Sequence, residues 1–454
     1  MSTLSTTEPI KVRSALARAL SVEDVNNLGR TTGQAERLRT VTPHRLFLAV
    51  VSALGGAQVE SLADLLRTFN HQNGVQAAYK AFYNRLARHG FEAFMHEMCT
   101  RLIEQLRVQT LTPDGETAVA RFTDIVIQDG SSFAIKKTLQ GVFPGRFTTI
   151  EPAAVEIHAT YSGFADEVRA IHLAPDCDAE RQFLPDPATL TGRLLLADRG
   201  YPGVPYFAAV DDAGGAFIVR LTRSYDPWVG AAWVDGRRLA LPTRRRLSRV
   251  LAEHAGCHAD LDVEFVRGRR VTRFRVVVVP GRDKAMTRLC TNLPRTPFSA
   301  PLVARLYRFR WQIELCFKEW KSYGNLHKFD TANPHIAAGL IWASLCTAIL
   351  KRFLAHAAQL VGDGTAISTR RVAMCAHHML TDLVSALLRG VGLLTALRRG
   401  LAHLLANARR ANVPRDYRTG RLRAGLATVG GPSVITYESV LWSKRCSPRT
   451  LLRP

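Results

Sequence analysis

Three acidic side chains carry the chemistry that the sequence offers. Two short apolar runs end in an aspartate followed by turn formers: Ile125-Val126-Ile127-Gln128-Asp129-Gly130-Ser131 and Leu194-Leu195-Leu196-Ala197-Asp198-Arg199-Gly200-Tyr201. A buried strand that delivers an unpaired carboxylate to its edge costs desolvation, which a bound cation offsets. Asp-Gly is also among the commonest turn dipeptides, so either aspartate alone reads first as the start of a turn. The third carboxylate lies in Tyr307-Arg308-Phe309-Arg310-Trp311-Gln312-Ile313-Glu314-Leu315-Cys316-Phe317-Lys318-Glu319-Trp320-Lys321. On one helix, a rotation of about 100° per residue puts Tyr307, Arg310, Glu314 and Lys321 within roughly 60° of one another. Glu319, about 120° from Tyr307, points elsewhere. Taken alone, Arg310 and Glu314 also read as a surface i,i+4 pair with Tyr307 at its rim.

Together, two carboxylates at strand ends and one on a helix amid basic and aromatic neighbours are what a two-metal phosphoryl-transfer site needs. Oxygen ligands suit Mg²⁺ or Mn²⁺. Two such ions, about 3.5 to 4 Å apart, activate a water or 3′-hydroxyl on one side of a phosphodiester and stabilise the leaving oxygen on the other. Arg310 and Lys321 would hold a phosphate beside them, and Tyr307 would hydrogen-bond or stack at a DNA end.

A sheet and a helix must position these groups. From about residue 120 the apolar pattern shifts to period two and to short buried runs: Ile125 to Ile127, Ala154 to Thr160, Val168 to Leu173, Leu194 to Leu196 and Phe217 to Val219, read as strands of one sheet. Between Leu221 and about Pro301, the runs Val263 to Val266 and Val271 to Val279 alternate with Gly-rich turns and with arginines at Arg244-Arg245-Arg246 and Arg267 to Arg275. This stretch reads as a β-rich insertion. Pro301 to Tyr323 reads as one long amphipathic helix and His335 to Leu360 as a buried one. The remainder is helical to about Ala411, followed by a basic tail from Arg409-Arg410 through Arg423. The order of helices, sheet, β insertion and helices predicts an α/β fold with accessory domains.

The first 110 or so residues read as helical, over Pro43 to Leu54, Glu60 to Phe69, Val75 to Arg88 and Phe91 to Val108. Asn70-His71-Gln72-Asn73-Gly74 is a turn between the second and third of these helices. Leu62, Leu65, Leu66 and Phe69 form one apolar stripe and Val75, Ala78, Phe82 and Leu86 another. Gln76, Lys80, Asn84, Arg85 and Arg88 face outward. This is the outline of a helix-turn-helix, with Lys80 and Arg85 as candidate DNA contacts, although the pattern alone reads first as an ordinary antiparallel helical pair.

Composition narrows the partners. Sixty-one Lys and Arg against thirty-eight Asp and Glu leave a formal charge of +23 on 454 residues, which points to a polyanion rather than a small metabolite. No segment joins a basic face to a large apolar one, so nucleic acid is favoured over a membrane surface. The longest apolar run, Ile336 to Leu350, falls short of the roughly 20 residues that span a bilayer. The N-terminus lacks the apolar core of a signal peptide. The eight cysteines lie far apart, with neither CxxC nor paired Cys/His spacing, so no zinc site or disulfide framework is expected and a reducing cytoplasm fits.

The spacing Tyr307, two residues, Arg310, three residues, Glu314, six residues, Lys321 resembles the YREK signature of insertion-sequence transposases of the insertion-sequence-four type. Asp198-Arg199-Gly200-Tyr201 is similar to that family's box around its second aspartate, and Asp129-Gly130-Ser131 to its first. Trp311 after Arg310 and the Trp320-Lys321 pair also look familial. The likeness covers roughly Arg121 to Leu350, with a weaker part ending in Phe82-Tyr83-Asn84-Arg85.

The resemblance implies an RNase-H-like mixed-sheet core at about 116–350, with a β-rich insertion at about 222–300. A helical, DNA-end-binding region at 1–115 would precede it, and helices with a basic tail at 351–454 would follow, the tail read first as a solvated end and otherwise as a surface for dimerisation or target-DNA contact. It implies that Asp129, Asp198 and Glu314 are the catalytic metal ligands, with two Mg²⁺ ions (or Mn²⁺) per site. Tyr307, Arg310, Lys321 and Trp311 would contact DNA. It further implies cut-and-paste transposition, with strand cleavage and transfer, by a homodimer that pairs double-stranded terminal inverted repeats and joins them to target DNA in a bacterial-type cytoplasm, associated with the nucleoid. Trp228 or Trp233 could stack on a flipped base as relatives' tryptophans do, although core packing is the expected role for both. Two other readings share much of this: a sequence-specific DNA-binding regulator that binds ends without cutting, and a structure-selective nuclease that cuts without joining.

Overall fold

The computed structural model describes residues 7–56, 59–108, 111–113, 117–201, 203–241, 243–281, 286–326, 330–362, 367–410 and 426–428. Six helices come first: α1 (Thr7–Ala19), α2 (Val22–Thr31), α3 (Pro43–Gly55), α4 (Leu62–Asn73), α5 (Tyr79–Leu86) and α6 (His89–Gln105). Helix α4 opens on a capping box between Ser61 and Asp64 and closes on Gly74 in the left-handed conformation, at φ 60°. The expected second helix of the pair starts at Tyr79 rather than Val75, and Ala78 is exposed rather than part of an apolar stripe. The Asn70 side chain explains the delay. Its Oδ1 accepts the Ala77 N–H at 2.9 Å and its Nδ2 donates to the Ala77 carbonyl at 3.2 Å, so the backbone after Gly74 is held by a side chain instead of by helical bonds.

Nine main strands follow: β1 (Ile125–Ala134), β2 (Glu151–Ser162), β3 (Glu167–Pro175), β4 (Leu194–Ala197), β5 (Ala216–Arg220), β6 (Trp228–Val234), β7 (Ala259–Arg267), β8 (Arg270–Pro280) and β9 (Met286–Thr291). With three shorter strands they form one 12-stranded sheet. Strand β1 pairs antiparallel with β2 on one side and parallel with β4 on the other. Beyond them, β3 is antiparallel to β2 and β5 parallel to β4. The order β3-β2-β1-β4-β5, with that change of sense at β1, is the expected RNase-H-like core. Helix α7 (Val204–Asp212) makes the crossover from β4 to β5.

The arginine-rich stretch after Leu221 extends this sheet. Strand β9 pairs antiparallel with β5, and β8, β7 and β6 continue outward in turn, with α8 (Leu247–Glu253) packed beside them. Side chains from Ile125, Ile127, Leu194 and Leu196 enter one core, and those from Val126, Leu195 and Ala197 enter a second on the opposite face, which α7 and α8 cover.

The segment expected as one helix from Pro301 to Tyr323 is two: α9 (Ala300–Arg308) and α10 (Trp311–Tyr323). At the junction the Phe309 and Arg310 N–H groups donate to the Leu306 and Tyr307 carbonyls, three residues back, which tightens the turn and shifts the angular register. Helix α11 (Pro334–Val361) follows, then α12 (Thr369–Cys375), α13 (His377–Arg389) and α14 (Leu393–Asn407). Contrary to the expectation of too short an apolar run, α11 has the length and composition to cross a bilayer, but 83% of its most apolar window lies inside the protein. It serves as the central helix of the first core. There Gly339 lets α6 approach, since a Cβ at that position would stand 2.4 Å from the Phe91 ring. The seven described cysteines are free. The basic tail beyond Arg410, through Arg423, and Cys446 lie outside the described residues.

Candidate active site

Register places the two aspartates. The parallel pairing of β1 with β4 runs from Ile125 opposite Leu194 to Gln128 opposite Ala197, so Asp129 and Asp198 are the next residue on each strand. Alternation along Ile125, Ile127, Asp129 and along Leu194, Leu196, Asp198 sends both carboxylates to the face that carries α9 and α10. Asp198 does begin a turn, with the Tyr201 N–H reaching its carbonyl at 3.3 Å. Asp129 does not end its strand as expected. Strand β1 continues to Ala134 because β2 still pairs with it, Asp129 opposite Ala159 and Gly130 opposite His158.

Helices α9 and α10 supply the rest. Helix α10 is anchored by buried Ile313, Cys316, Phe317 and Trp320, which leaves Glu314 on its half-buried side. The Tyr307 hydroxyl, from α9, donates to Asp198 Oδ1 at 2.9 Å. Arg310, at the start of α10, donates from Nη1 to Asp129 Oδ2, and its Nη2 lies 3.4 Å from Glu314 Oε1. Lys321 Nζ donates to the Ser132 carbonyl of β1 at 2.6 Å. The four side chains therefore converge on the strand ends although they do not share one continuous helix. Glu319 points away as expected and accepts from Arg352 at 3.0 Å.

Burial pushes the Asp129 carboxyl up to about 7, against the Arg310 charge, with Glu314 and Asp198 adding to the rise. Burial opposes the Arg310 charge, yet Asp129, Tyr307, Asp198 and Glu314 together hold its pKa above the usual value. Burial, helped by Asp198, also keeps the Tyr307 hydroxyl protonated well beyond its ordinary range. The Lys321 ammonium is pushed down by burial and supported by Glu314. The donor set is all oxygen and its most buried member is costly to ionise, which fits a hard divalent cation. Arg310 stands between Asp129 and Glu314 as the charge that the protein itself supplies.

The other expected contact residues engage other groups. Trp311 is 45% exposed, with Lys318 Nζ 4.8 Å from its ring centre. Lys80 is exposed on α5, whereas Arg85 donates to the Gln34 carbonyl at 3.0 Å and so ties α5 to the loop after α2. Neither Trp228 nor Trp233 packs into the core as expected. Both are half-buried under arginines, Arg246 at 4.0 Å from the Trp228 ring centre and Arg295 at 3.8 Å from that of Trp233.

Two features escaped sequence reasoning. Arg220, the last residue of β5, lies 3.7 Å from Asp198 Oδ1, and its position at a parallel strand end was the available signal. Behind Asp129, a Cβ on Gly130 would stand 2.5 Å from Glu156 Oε1 and 3.0 Å from the Tyr201 hydroxyl, which itself lies 3.2 Å from His158 Nδ1. This polar layer fixes the backbone beside Asp129, and Tyr201 of the Asp198-x-Gly-Tyr box is its sequence trace.

A family model described as the transposase DDE domain matches residues 120–350, from just before β1 into α11. The chain is 21% identical over 377 residues to the transposase for insertion sequence element IS231E of Bacillus thuringiensis subsp. finitimus, covering 74% of this chain and 78% of that protein. It is 19% identical over 348 residues to the transposase for insertion sequence element IS1151 of Clostridium perfringens, covering 68% and 72% respectively. A shorter match of 62 residues, 14% of this chain and 17% of the other, reaches 45% identity with the putative transposase InsL for insertion sequence element IS186A of Escherichia coli (strain K12).

Proposed function

From the premise that this chain belongs to the transposase DDE-domain family, and so is an insertion-sequence transposase that cleaves DNA and transfers strands, we propose that Asp129, Asp198 and Glu314 are its catalytic triad. The observation that carries this reading is the convergence of the β1 and β4 strand ends on α9 and α10, with Arg310 meeting Asp129 and Glu314 while Tyr307 meets Asp198. Divalent-metal dependence comes with the family; the ions here are two Mg²⁺, replaceable by Mn²⁺, with Asp129, Asp198 and Glu314 as the residues that would hold them. When bound, such ions supply charge stabilisation at the phosphodiester and lower the pKa of the attacking water or hydroxyl.

The chain's own residues do the rest. Arg310 and Lys321 hold the terminal phosphates by charge-assisted hydrogen bonds. Tyr307, protonated over the working pH range, donates to Asp198 and keeps that carboxylate oriented. Exposed Trp311 lies against the DNA near the cut end. The helices of residues 1–115 bind the terminal inverted repeats, the core of 116–350 holds the reaction, and the helices and basic tail of 351–454 serve dimerisation and target contact. A homodimer pairs the two ends, and the enzyme works in the cytoplasm on nucleoid DNA.

The test is a linear fragment carrying this gene with its natural flanks, incubated with purified protein and a target plasmid, with and without Mg²⁺. Discrete excision at both flanks and metal-dependent joined products are expected. Cutting without joining would favour a nuclease, and binding without either would favour a regulator.

A further inference from the structure

On α6 and α11, His89, Glu92 and His335 bring three metal-binding atoms within 4.8 Å of one another, the only such group among the described residues. We propose that they form a site for a borderline divalent cation, Zn²⁺ first, which staples α6 to α11. His89 and Glu92 lie in the first turn of α6, three residues apart and hence on one face. His335 is the second residue of α11. Its Nδ1 stands 2.9 Å from Glu92 Oε2, and His89 Nδ1 stands 3.9 Å from the same oxygen. The two imidazole rings meet edge to face, with centres 5.4 Å apart.

Two imidazole nitrogens and one carboxylate, with solvent free to complete the shell, are a zinc donor set. Mg²⁺ prefers oxygen and dehydrates reluctantly, so the ion at this site differs in type from that of the catalytic carboxylates. The backbone that carries the ligands is fixed without any ion. The Asn333 side chain accepts the Ile336 N–H and so caps α11, and its amide donates to the Ala87 carbonyl just before α6 at 3.2 Å. Gly339 admits Phe91 one turn further along. The His89 side chain is 76% exposed, so its ring has room to rotate toward Glu92. The His335–Glu92 hydrogen bond joins two of the three groups, and the ring contact with His335 holds His89 beside them. His335 lies 243 residues beyond Glu92, which is why local Cys/His spacing gave no sign of zinc.

The staple would tie the N-terminal helices to the helix that follows the catalytic segment, giving a zinc-dependent stability that is independent of cleavage. The experiment uses full-length, tag-free, metal-stripped protein in millimolar Mg²⁺, titrated with Zn²⁺ by calorimetry and followed by thermal unfolding. Wild type is expected to bind one more zinc than His89→Ala, His335→Ala or Glu92→Gln, and only wild type should gain Tm on adding zinc. His89→Ala removes an exposed side chain and so keeps the comparison free of folding effects. An equal zinc count in wild type and His89→Ala, or no zinc-dependent rise in the wild-type Tm, would overturn the proposal.

Discussion

Asp129 and Asp198 each stand one residue past the last parallel pair of the central strands, Gln128 opposite Ala197, and alternation turns both toward the same helices. The two aspartates are thus placed by strand register, while Tyr307 and Arg310 each engage one of them from the helical side.

Arg310 and Asp129 are both only 11% exposed, so removing the cation alone leaves a buried carboxyl that must either take up a proton or stay charged without its partner. Arg310→Ala is expected to lower stability by about 3 kcal/mol, and adding Asp129→Asn should restore most of that loss. Urea denaturation of the two single variants and the double variant measures the coupling. Simply additive losses would contradict the pairing.

Lys321 Nζ rests on a backbone carbonyl and, among the described residues, has no carboxylate within ion-pair distance, so its charge is available to DNA. Lys321→Ala should weaken end binding and reduce the slope of log K against log salt by about one phosphate's worth. Binding isotherms from low to moderate salt decide this, and an unchanged slope would remove Lys321 from the phosphate contacts.

Glu167, at the start of β3, is held by burial at a pKa of about 7, against Arg169. The folded protein therefore keeps a proton that the unfolded chain loses near the ordinary glutamate value of 4.5. Stability should fall as pH rises from there to about 7 and then level off. Glu167→Gln, neutral throughout, should be more stable than wild type at pH 8 by on the order of 2 kcal/mol and should show a smaller decline across that interval. Thermal melts at pH 5 and pH 8 give the comparison. An equal pH dependence in both proteins would contradict it.

What the sequence disclosed here was local. The apolar residues before Asp129 and before Asp198 have the parity that puts both carboxylates on one face, and the spacing of Arg310, Glu314 and Lys321 survives as a single turn-by-turn pattern on α10. The break between α9 and α10 was hidden because Phe309 fits the apolar period of a longer helix. The burial of that residue against Gly163, where a Cβ would stand 2.6 Å from the ring, comes from a tertiary contact. The continuation of β1 past Asp129 was hidden for the same reason, since its partner β2 lies elsewhere in the chain. Trp228 and Trp233 look like core residues by type, and only the fold shows arginines from other segments lying over them.

The central claim is that Glu314 completes the reacting site with Asp129 and Asp198. The most direct measurement is Mg²⁺-dependent cleavage of a flank-bearing DNA end by Glu314→Gln protein, alongside its affinity for the same end. The replacement keeps the size of the side chain and removes its charge. End binding within a few-fold of wild type, with cleavage reduced by at least about a thousandfold, is predicted, on the scale seen when a catalytic charge-stabilising group is removed. Metal-dependent cleavage at the wild-type rate would contradict the assignment.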